Sequence, residues 1–179
     1  MLIYKYRTLQ NIEYIYDIVC NGLVHCSNYK DLNDPFEGQF LHITGGIGFP
    51  ISFPLAIPAL EKERKFVNDV YNSKRFKICS FSIKKDDVRL WSYYADSHKG
   101  IAIEYNIPDN DLNFVKVQYY DMTKEVTRES LNDGIVKRIL SMKSSQWQFE
   151  EEIRLFSRKT KYNMKAYISK ILLGLRTSE

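Results

Sequence analysis

Cysteine is scarce in this chain and poorly arranged for chemistry. The three thiols, Cys20, Cys26 and Cys79, form no C-x-x-C pair and have no histidine at ligand spacing, which argues against a structural zinc and against a disulfide framework. They read as small apolar residues in a reducing, cytoplasmic compartment. Histidine is equally thin: His25, His42 and His98 are scattered, so a Cys-His or Ser-His-Asp constellation has no support. No G-x-x-x-x-G-K-[ST] loop, H-E-x-x-H helix or G-x-S-x-G elbow occurs, and no metal is expected. The longest apolar stretch, Ile47 to Leu60, is short for a bilayer and is broken by Pro50, Pro54 and Pro58. The start, MLIYKYRTLQ, has no apolar leader segment, so neither a signal peptide nor a membrane association is expected.

What the chain does carry is a globular composition rich in tyrosine. Hydrophobic residues make up 44% and charged residues 27% of 179, enough for one core and too apolar for disorder. Residues 1–179 therefore read as one domain. Counts of 13 Tyr, 10 Phe and 2 Trp point to half-buried strands or an aromatic cleft, because a tyrosine ring buries well while its hydroxyl still needs a partner. The formal charge of +4 permits an anionic ligand but lacks the clustered stripe of a nucleic-acid binder.

Period-two alternation predicts strands over Leu2–Tyr6, Leu23–Ser27, Arg75–Ser82, Ile101–Tyr105, Asn113–Tyr120, Glu151–Arg158 and Tyr167–Leu175. Leu9, Ile12, Tyr16 and Val19 recur at helical spacing behind a Thr8 cap. Further helices are expected over Ala59–Tyr71, Val88–Asp96 and Arg128–Lys143. In Val88–Asp96, the pair Asp86-Asp87 supplies the start, and Leu90, Trp91, Tyr94 and Ala95 share a face. Residues 41–58 are apolar but interrupted by glycines and three prolines, which predicts an ordered loop or flap, with 47–60 as a docking segment for a protein partner. The apolar run Ile168–Leu173 is followed by only six residues, so both a natural end and a truncated C-terminus fit. The sum is an α+β chain with a mainly antiparallel sheet flanked by helices.

Three clusters stand out. Asn33-Asp34-Pro35-Phe36-Glu37 builds a tight turn, structural on the plain view, or a holder of Asp34 and Glu37 at a cleft edge. Trp91-Ser92-Tyr93-Tyr94-Ala95, ending at His98-Lys99-Gly100, is either core plus a cationic helix end or an aromatic cleft for a planar ring with His98 or Lys99 near a phosphate. In Trp147-Gln148-Phe149-Glu150-Glu151-Glu152-Ile153-Arg154, an extended chain would align Glu150, Glu152 and Arg154 on one face. That row is a surface ion-pair ladder or the carboxylate pair of a site that holds a sugar hydroxyl.

Taken together with Tyr4-Lys5-Tyr6-Arg7, these blocks resemble the bacterial domain-of-unknown-function family 2971 over nearly the whole chain. The family often has His where Tyr93 stands here and usually extends beyond the last strand. Its members are associated with mobile elements and phage-defence neighbourhoods, which implies a toxin or defence effector. The layout is also more distantly similar to the ADP-ribosyltransferase fold, whose antiparallel sheet splits around an NAD cleft. That similarity implies an enzyme cleaving the nicotinamide–ribose bond of NAD and passing ADP-ribose to a protein or nucleic-acid acceptor. By the same similarity Glu152, Glu150 and Tyr94 are catalytic, and Lys5, Tyr6, Arg7, Trp91, Ser92, His98 and Arg154 contact NAD. Glu152 would hold the ribose 2′-hydroxyl, Glu150 would place the acceptor, and Glu152→Gln would leave the fold intact. Two rival readings use the same residues differently: a non-catalytic binding or immunity module, and a nucleic-acid-acting enzyme relying on Arg75, Lys77, Lys84 and Lys85.

Overall fold

The computed structural model describes residues 1–34, 40–44, 47–50, 76–121, 124–127 and 133–177. In chain order the elements are β1 (Leu2–Arg7), α1 (Ile12–Val19), β2 (Leu23–His25), β3 (Phe40–Thr44), β4 (Ile47–Pro50), β5 (Lys77–Ser82) and α2 (Val88–Tyr94). They continue as β6 (Ile101–Asn106), β7 (Phe114–Lys116), β8 (Gln118–Tyr120), β9 (Lys124–Thr127), α3 (Asp133–Ile139) and β10 (Met142–Ser144). The last strands are β11 (Glu152–Ser157), β12 (Lys161–Asn163) and β13 (Ile168–Leu173). This is an α+β fold whose main sheet runs β13-β6-β1-β5-β11-β7, every neighbour antiparallel.

Alternation in the strands sorts residues between the two faces of that sheet. Ile3, Cys79, Phe81, Ile101, Ile103, Tyr105, Ile153 and Leu155 pack on one face with Ile18 of α1. Tyr4 and Tyr6 lie on the other, against Leu90 and Trp91 of α2 and Ala95 just after it. Further along the same face, Ile78 and Phe156 pack against Val136 and Ile139 of α3. The registers Tyr4↔Ser82, Glu152↔Ser82, Arg154↔Ser80 and Phe156↔Ile78 place a polar row between those two apolar clusters.

The join between β1 and β5 is unlike the others. β1 pairs with β6 along its whole length, from Leu2↔Asn106 to Arg7↔Ile101, but with β5 only at Tyr4↔Ser82. Beyond that point the strands diverge. The Lys5 ammonium donates to the Ser80 carbonyl at 2.6 Å, and Ser27 bridges Ile78 from the other side, each amide donating to the other's carbonyl at 2.8 Å. A wedge therefore opens between the two central strands.

Several local expectations change. The cap of α1 is Asn11, whose side chain accepts from the Tyr14 amide at 3.3 Å; Thr8 accepts instead from the Gln10 amide. Leu9, Ile12, Tyr16 and Val19 are exposed, Ile12 at 70%, and Ile15 and Ile18 face the core. The helix has apolar residues on two stripes, and the sheet takes the one holding Ile15 and Ile18. The first part of the expected 41–58 loop is a hairpin, β3 with β4, extended by β9 in parallel to β3. The expected Arg128–Lys143 helix is helical over Asp133–Ile139 and then becomes β10. Asn113–Tyr120 breaks into β7 and β8 around Val117, whose amide donates to the Glu152 carbonyl at 2.9 Å. Pro35, Phe36, Glu37, Arg75, the Ala59–Tyr71 helix and residues 51–60 of the docking segment lie outside the described residues.

Gly100 fixes β1 against the turn that follows α2. A Cβ on this residue would stand 2.1 Å from the Arg7 carbonyl oxygen, where backbone cannot yield without moving the strand. Gly100→Ala should therefore cost about 2 kcal/mol or more, a Tm fall of roughly 4–8 °C by differential scanning calorimetry. An unchanged Tm would show that β1 is not held there.

Candidate functional site

The wedge and the polar row belong to one cavity of about 200 Å³, lined among others by Lys5, Arg7 and His25 on one side and Tyr94, Lys143, Glu150 and Glu152 on the other. Of the residues expected to form a site, Glu152, Glu150, Tyr94, Lys5, Tyr6 and Arg7 line it together. They come from β1, α2, β11 and the 3₁₀ turn Ser145–Glu150. That turn was expected to be extended. Instead it ends at Glu151 with a left-handed φ of 40°, and the reversal still lets Glu150 and Glu152 meet.

What joins them is Lys143, which sequence reading had only as a helix end. Its ammonium lies 2.6 Å from Glu150 and 3.2 Å from Glu152, and 4.8 Å from the centroid of the Trp147 ring. Glu152 also accepts from Arg154 Nε at 2.9 Å and from a second guanidinium nitrogen at 3.2 Å. Its backbone amide donates to the Tyr119 hydroxyl at 2.8 Å. All four charged groups are buried, and Arg154 is 0% exposed. The surface-ladder alternative is thereby overturned: buried ion pairs need partners at every position, and here they have them.

Glu150 and Glu152 sit in one network but differ in acidity. Burial would raise the pKa of Glu152, yet the Arg154 and Lys143 charges outweigh it and hold the carboxyl at about 2. For Glu150 burial outweighs Lys143 and the Tyr94 hydroxyl, and its pKa lies above the ordinary value. Tyr94, desolvated and beside Glu150, keeps its proton and donates it to Glu150 while accepting from Asn33 Nδ2 at 2.9 Å. An ionised carboxylate has about four acceptor sites. Glu152 uses its sites on Arg154, Lys143 and Ser80, whereas Glu150 accepts from Tyr94 and Lys143. Glu152 is the fixed anion, and Glu150 is the group poised to exchange a proton.

A raised pKa in the fold means that the stabilisation from Glu150 is complete below its unfolded value and is lost as pH rises through its folded one. Glu150→Gln does not titrate. The stability difference between variant and wild type should therefore move in the variant's favour as pH rises from about 5 to 8. Urea midpoints at the two pH values check this, and movement in the opposite direction would mean that Lys143 dominates burial.

The opposite wall is cationic. The Lys5 ammonium has its pKa lowered by burial against the opposing effect of Cys79. His25 is likewise lowered, by burial and then by Arg7. Arg7 Nε is buried with no hydrogen-bond partner.

Four expected contacts stand elsewhere. Trp91 packs edge-on against Tyr6 at 5.2 Å between centroids, and its indole N–H donates to the Lys85 carbonyl at 3.0 Å, so it backs the cavity wall. His98 stacks on the far side of Trp91 at 5.8 Å, held in the left-handed run Asp96, Ser97, His98. The Ser92 hydroxyl donates to the Val88 carbonyl at 2.7 Å within α2. Arg154 lies behind Glu152 and donates to the Leu140 carbonyl. Of the cations read as a nucleic-acid surface, Lys77 donates to Asn28, Lys84 pairs with Glu151 and Lys85 with Asp86.

Residues missed in the sequence include Ser80 and Ser82. The Ser82 hydroxyl donates to the Glu150 carbonyl and accepts from the Lys84 amide at 2.9 Å. Their signal was available, since two serines on one face of an otherwise apolar strand mark a place where polar groups meet. Lys143 and His25 left none. Among the described residues, no group of three or more His, Cys, Asp or Glu side chains is placed to hold a metal ion, and no helix is long and apolar enough to cross a membrane. No family model matches the chain, and no curated protein or solved structure matches it either, so the family resemblance rests on its motifs.

Proposed function

We propose that the cavity binds NAD and that the protein cleaves its nicotinamide–ribose bond in the manner of an ADP-ribosyltransferase or NAD glycohydrolase. The observation that carries this reading is the meeting of Lys5 and Arg7 with Tyr94, Glu150 and Glu152 across the gap between β1 and β5. Cations on one wall suit the pyrophosphate, and carboxylates on the other suit a ribose that becomes oxocarbenium-like. At about 200 Å³ the cavity accepts the nicotinamide ribose rather than the whole dinucleotide, leaving the adenosine end at its mouth. Tyr6 and Tyr94 supply aromatic walls in place of Trp91.

In this scheme the C1′–N bond breaks and its electron pair leaves with neutral nicotinamide. Glu152, held ionised by Arg154 and Lys143, stabilises the positive charge that develops on the ribose. Glu150 accepts the proton of the water or acceptor nucleophile that attacks C1′, and Tyr94 orients it. The roles thus shift from those implied by resemblance, because the oxygens of Glu152 are already taken by Arg154, Lys143 and Ser80.

The test is nicotinamide release from labelled NAD by the wild-type chain, alone and with bacterial lysate as a source of acceptors. Release that requires Glu150 supports the enzyme. NAD binding without release under either condition would replace it with the binding-module reading, in which the saturated Glu152 network serves as a rigid wall.

A further inference from the structure

We infer that Cys26 and Cys79 form a redox pair, which a small peroxide converts to a cross-strand disulfide beside the cavity. Ser27 and Ile78 exchange both of their backbone hydrogen bonds at 2.8 Å. The next pair along these antiparallel segments is Cys26 and Cys79, at a position whose backbone groups point away from each other. The Cys26 amide donates to the Thr160 carbonyl at 2.7 Å instead. At such non-hydrogen-bonded pairs the Cα atoms are about 4.5 Å apart, within the disulfide range of roughly 4.4–6.8 Å. The two thiols already share a hydrogen bond.

The surroundings separate the two sulfurs into an attacking and a resolving thiol. Cys79 faces Lys5 and Arg7 from β1, Cys26 from the segment after β2 and Tyr105 from β6. Burial would raise its pKa, but the Cys26 hydrogen bond and the two cations outweigh burial and bring it to about 6. Cys26 is pushed in the opposite direction by the same hydrogen bond and by burial. Both cysteines are buried, but the cavity is lined by their chain neighbours His25, Ser27, Ile78 and Ser80 and by Lys5. The cavity therefore brings a molecule as small as hydrogen peroxide to residues next in the chain to each sulfur.

The Cys79 thiol gives up its proton, the thiolate attacks a peroxide oxygen and breaks the O–O bond to become a sulfenic acid, and the departing hydroxide takes up that proton as the first water. Cys26 sulfur then attacks that sulfur, its proton leaves with the hydroxyl as a second water, and the S–S bond closes. Two thiols lose two hydrogens and two electrons, and the peroxide takes both. Oxidation removes the anionic partner of Lys5, so the state of the pair sets the charge balance of the cationic wall.

The experiment uses the full chain carrying Cys20→Ser, because Cys20 is exposed. After hydrogen peroxide at pH 7, remaining thiols are alkylated under denaturing conditions and peptides are mapped by mass spectrometry. The expected result is a peptide pair joining Cys26 to Cys79, lost on treatment with dithiothreitol. In the same background Cys26→Ala, or Cys26→Ser if the alanine variant folds poorly, should leave Cys79 as a sulfenic acid trapped by dimedone. Lys5→Met should move the pH midpoint of the oxidation rate upward by roughly one unit or more. Both thiols still alkylated after peroxide, or Cys79 carried to sulfinic acid with Cys26 present and no linked peptide, would overturn the pair. An unmoved midpoint in Lys5→Met would overturn the role of the cation.

Discussion

Arg154→Leu is expected to lose about 3–5 kcal/mol of stability, a large fraction of what holds a domain of this size together. The guanidinium is 0% exposed and makes two contacts to Glu152 at 2.9 and 3.2 Å. Without it, the buried Glu152 carboxylate loses one of its two cationic partners and is left sharing Lys143 with Glu150. Breaking a buried pair from one side costs about 3–5 kcal/mol, against a total stability of roughly 5–15 kcal/mol for a domain. The control is Arg158→Leu, whose pair with Asp133 spans 2.9 Å but is exposed at 73% and 47%. That change should cost about 1 kcal/mol or less. Urea denaturation followed by circular dichroism measures both, and equal midpoints for the two variants would mean that the buried network does not hold the fold together. By the same reasoning Glu152→Gln should destabilise strongly, since the buried Arg154 and Lys143 would lose the carboxylate they share. Read from the sequence, the exchange leaves the fold intact and costs only turnover; the burial of Glu152 reverses the first half of that expectation.

Glu150→Gln is expected to abolish turnover while leaving a folded protein. The proposed base is removed, yet Gln keeps an acceptor for the Tyr94 hydroxyl, and the group replaced is one whose charge burial already disfavours. General-base catalysis contributes about 10²–10⁴-fold, so nicotinamide release should fall by at least roughly two orders of magnitude. Tyr94→Phe, which removes only the orienting hydroxyl, should retain more activity. Initial rates with labelled NAD, measured alongside melting curves, separate the two effects. A Glu150→Gln protein that turns over at the wild-type rate would remove Glu150 from the chemistry and leave the network a structural one.

Much of the framework is local and was readable as such. β1, β5, β6 and β11 each fall within or beside a predicted strand, because alternation of apolar and polar residues requires only near neighbours to be seen. The α2 helix was equally legible: Asp87 caps it by accepting from the Arg89 amide at 2.9 Å, and Leu90, Trp91 and Ala95 are buried together. One cleft holding Tyr6, Arg7, Trp91, Tyr94, Glu150 and Glu152 is what the motifs and the resemblance imply, and all of these but Trp91 line the cavity, although no residue pattern states which strands will be neighbours.

The rest was decided in three dimensions. On α1, two apolar stripes compete in the sequence, and only the position of the sheet selects Ile15 and Ile18 over Ile12 and Tyr16. Trp91 and His98 were plausible ligand contacts until packing put Tyr6 between them and the cavity. Arg154 fits either a surface ladder or a ligand contact in the sequence, and Lys143 only the end of a helix; lysine and arginine are seldom buried, and that rule fails where carboxylates meet them away from water. Such a meeting joins β10, the turn before β11 and β11 itself, and the wedge below it exists because β1 and β5 part after Tyr4↔Ser82. Strand identity is fixed by each segment's own residues. Burial, charge state and the opening between strands depend on what lies opposite, which a linear pattern does not contain.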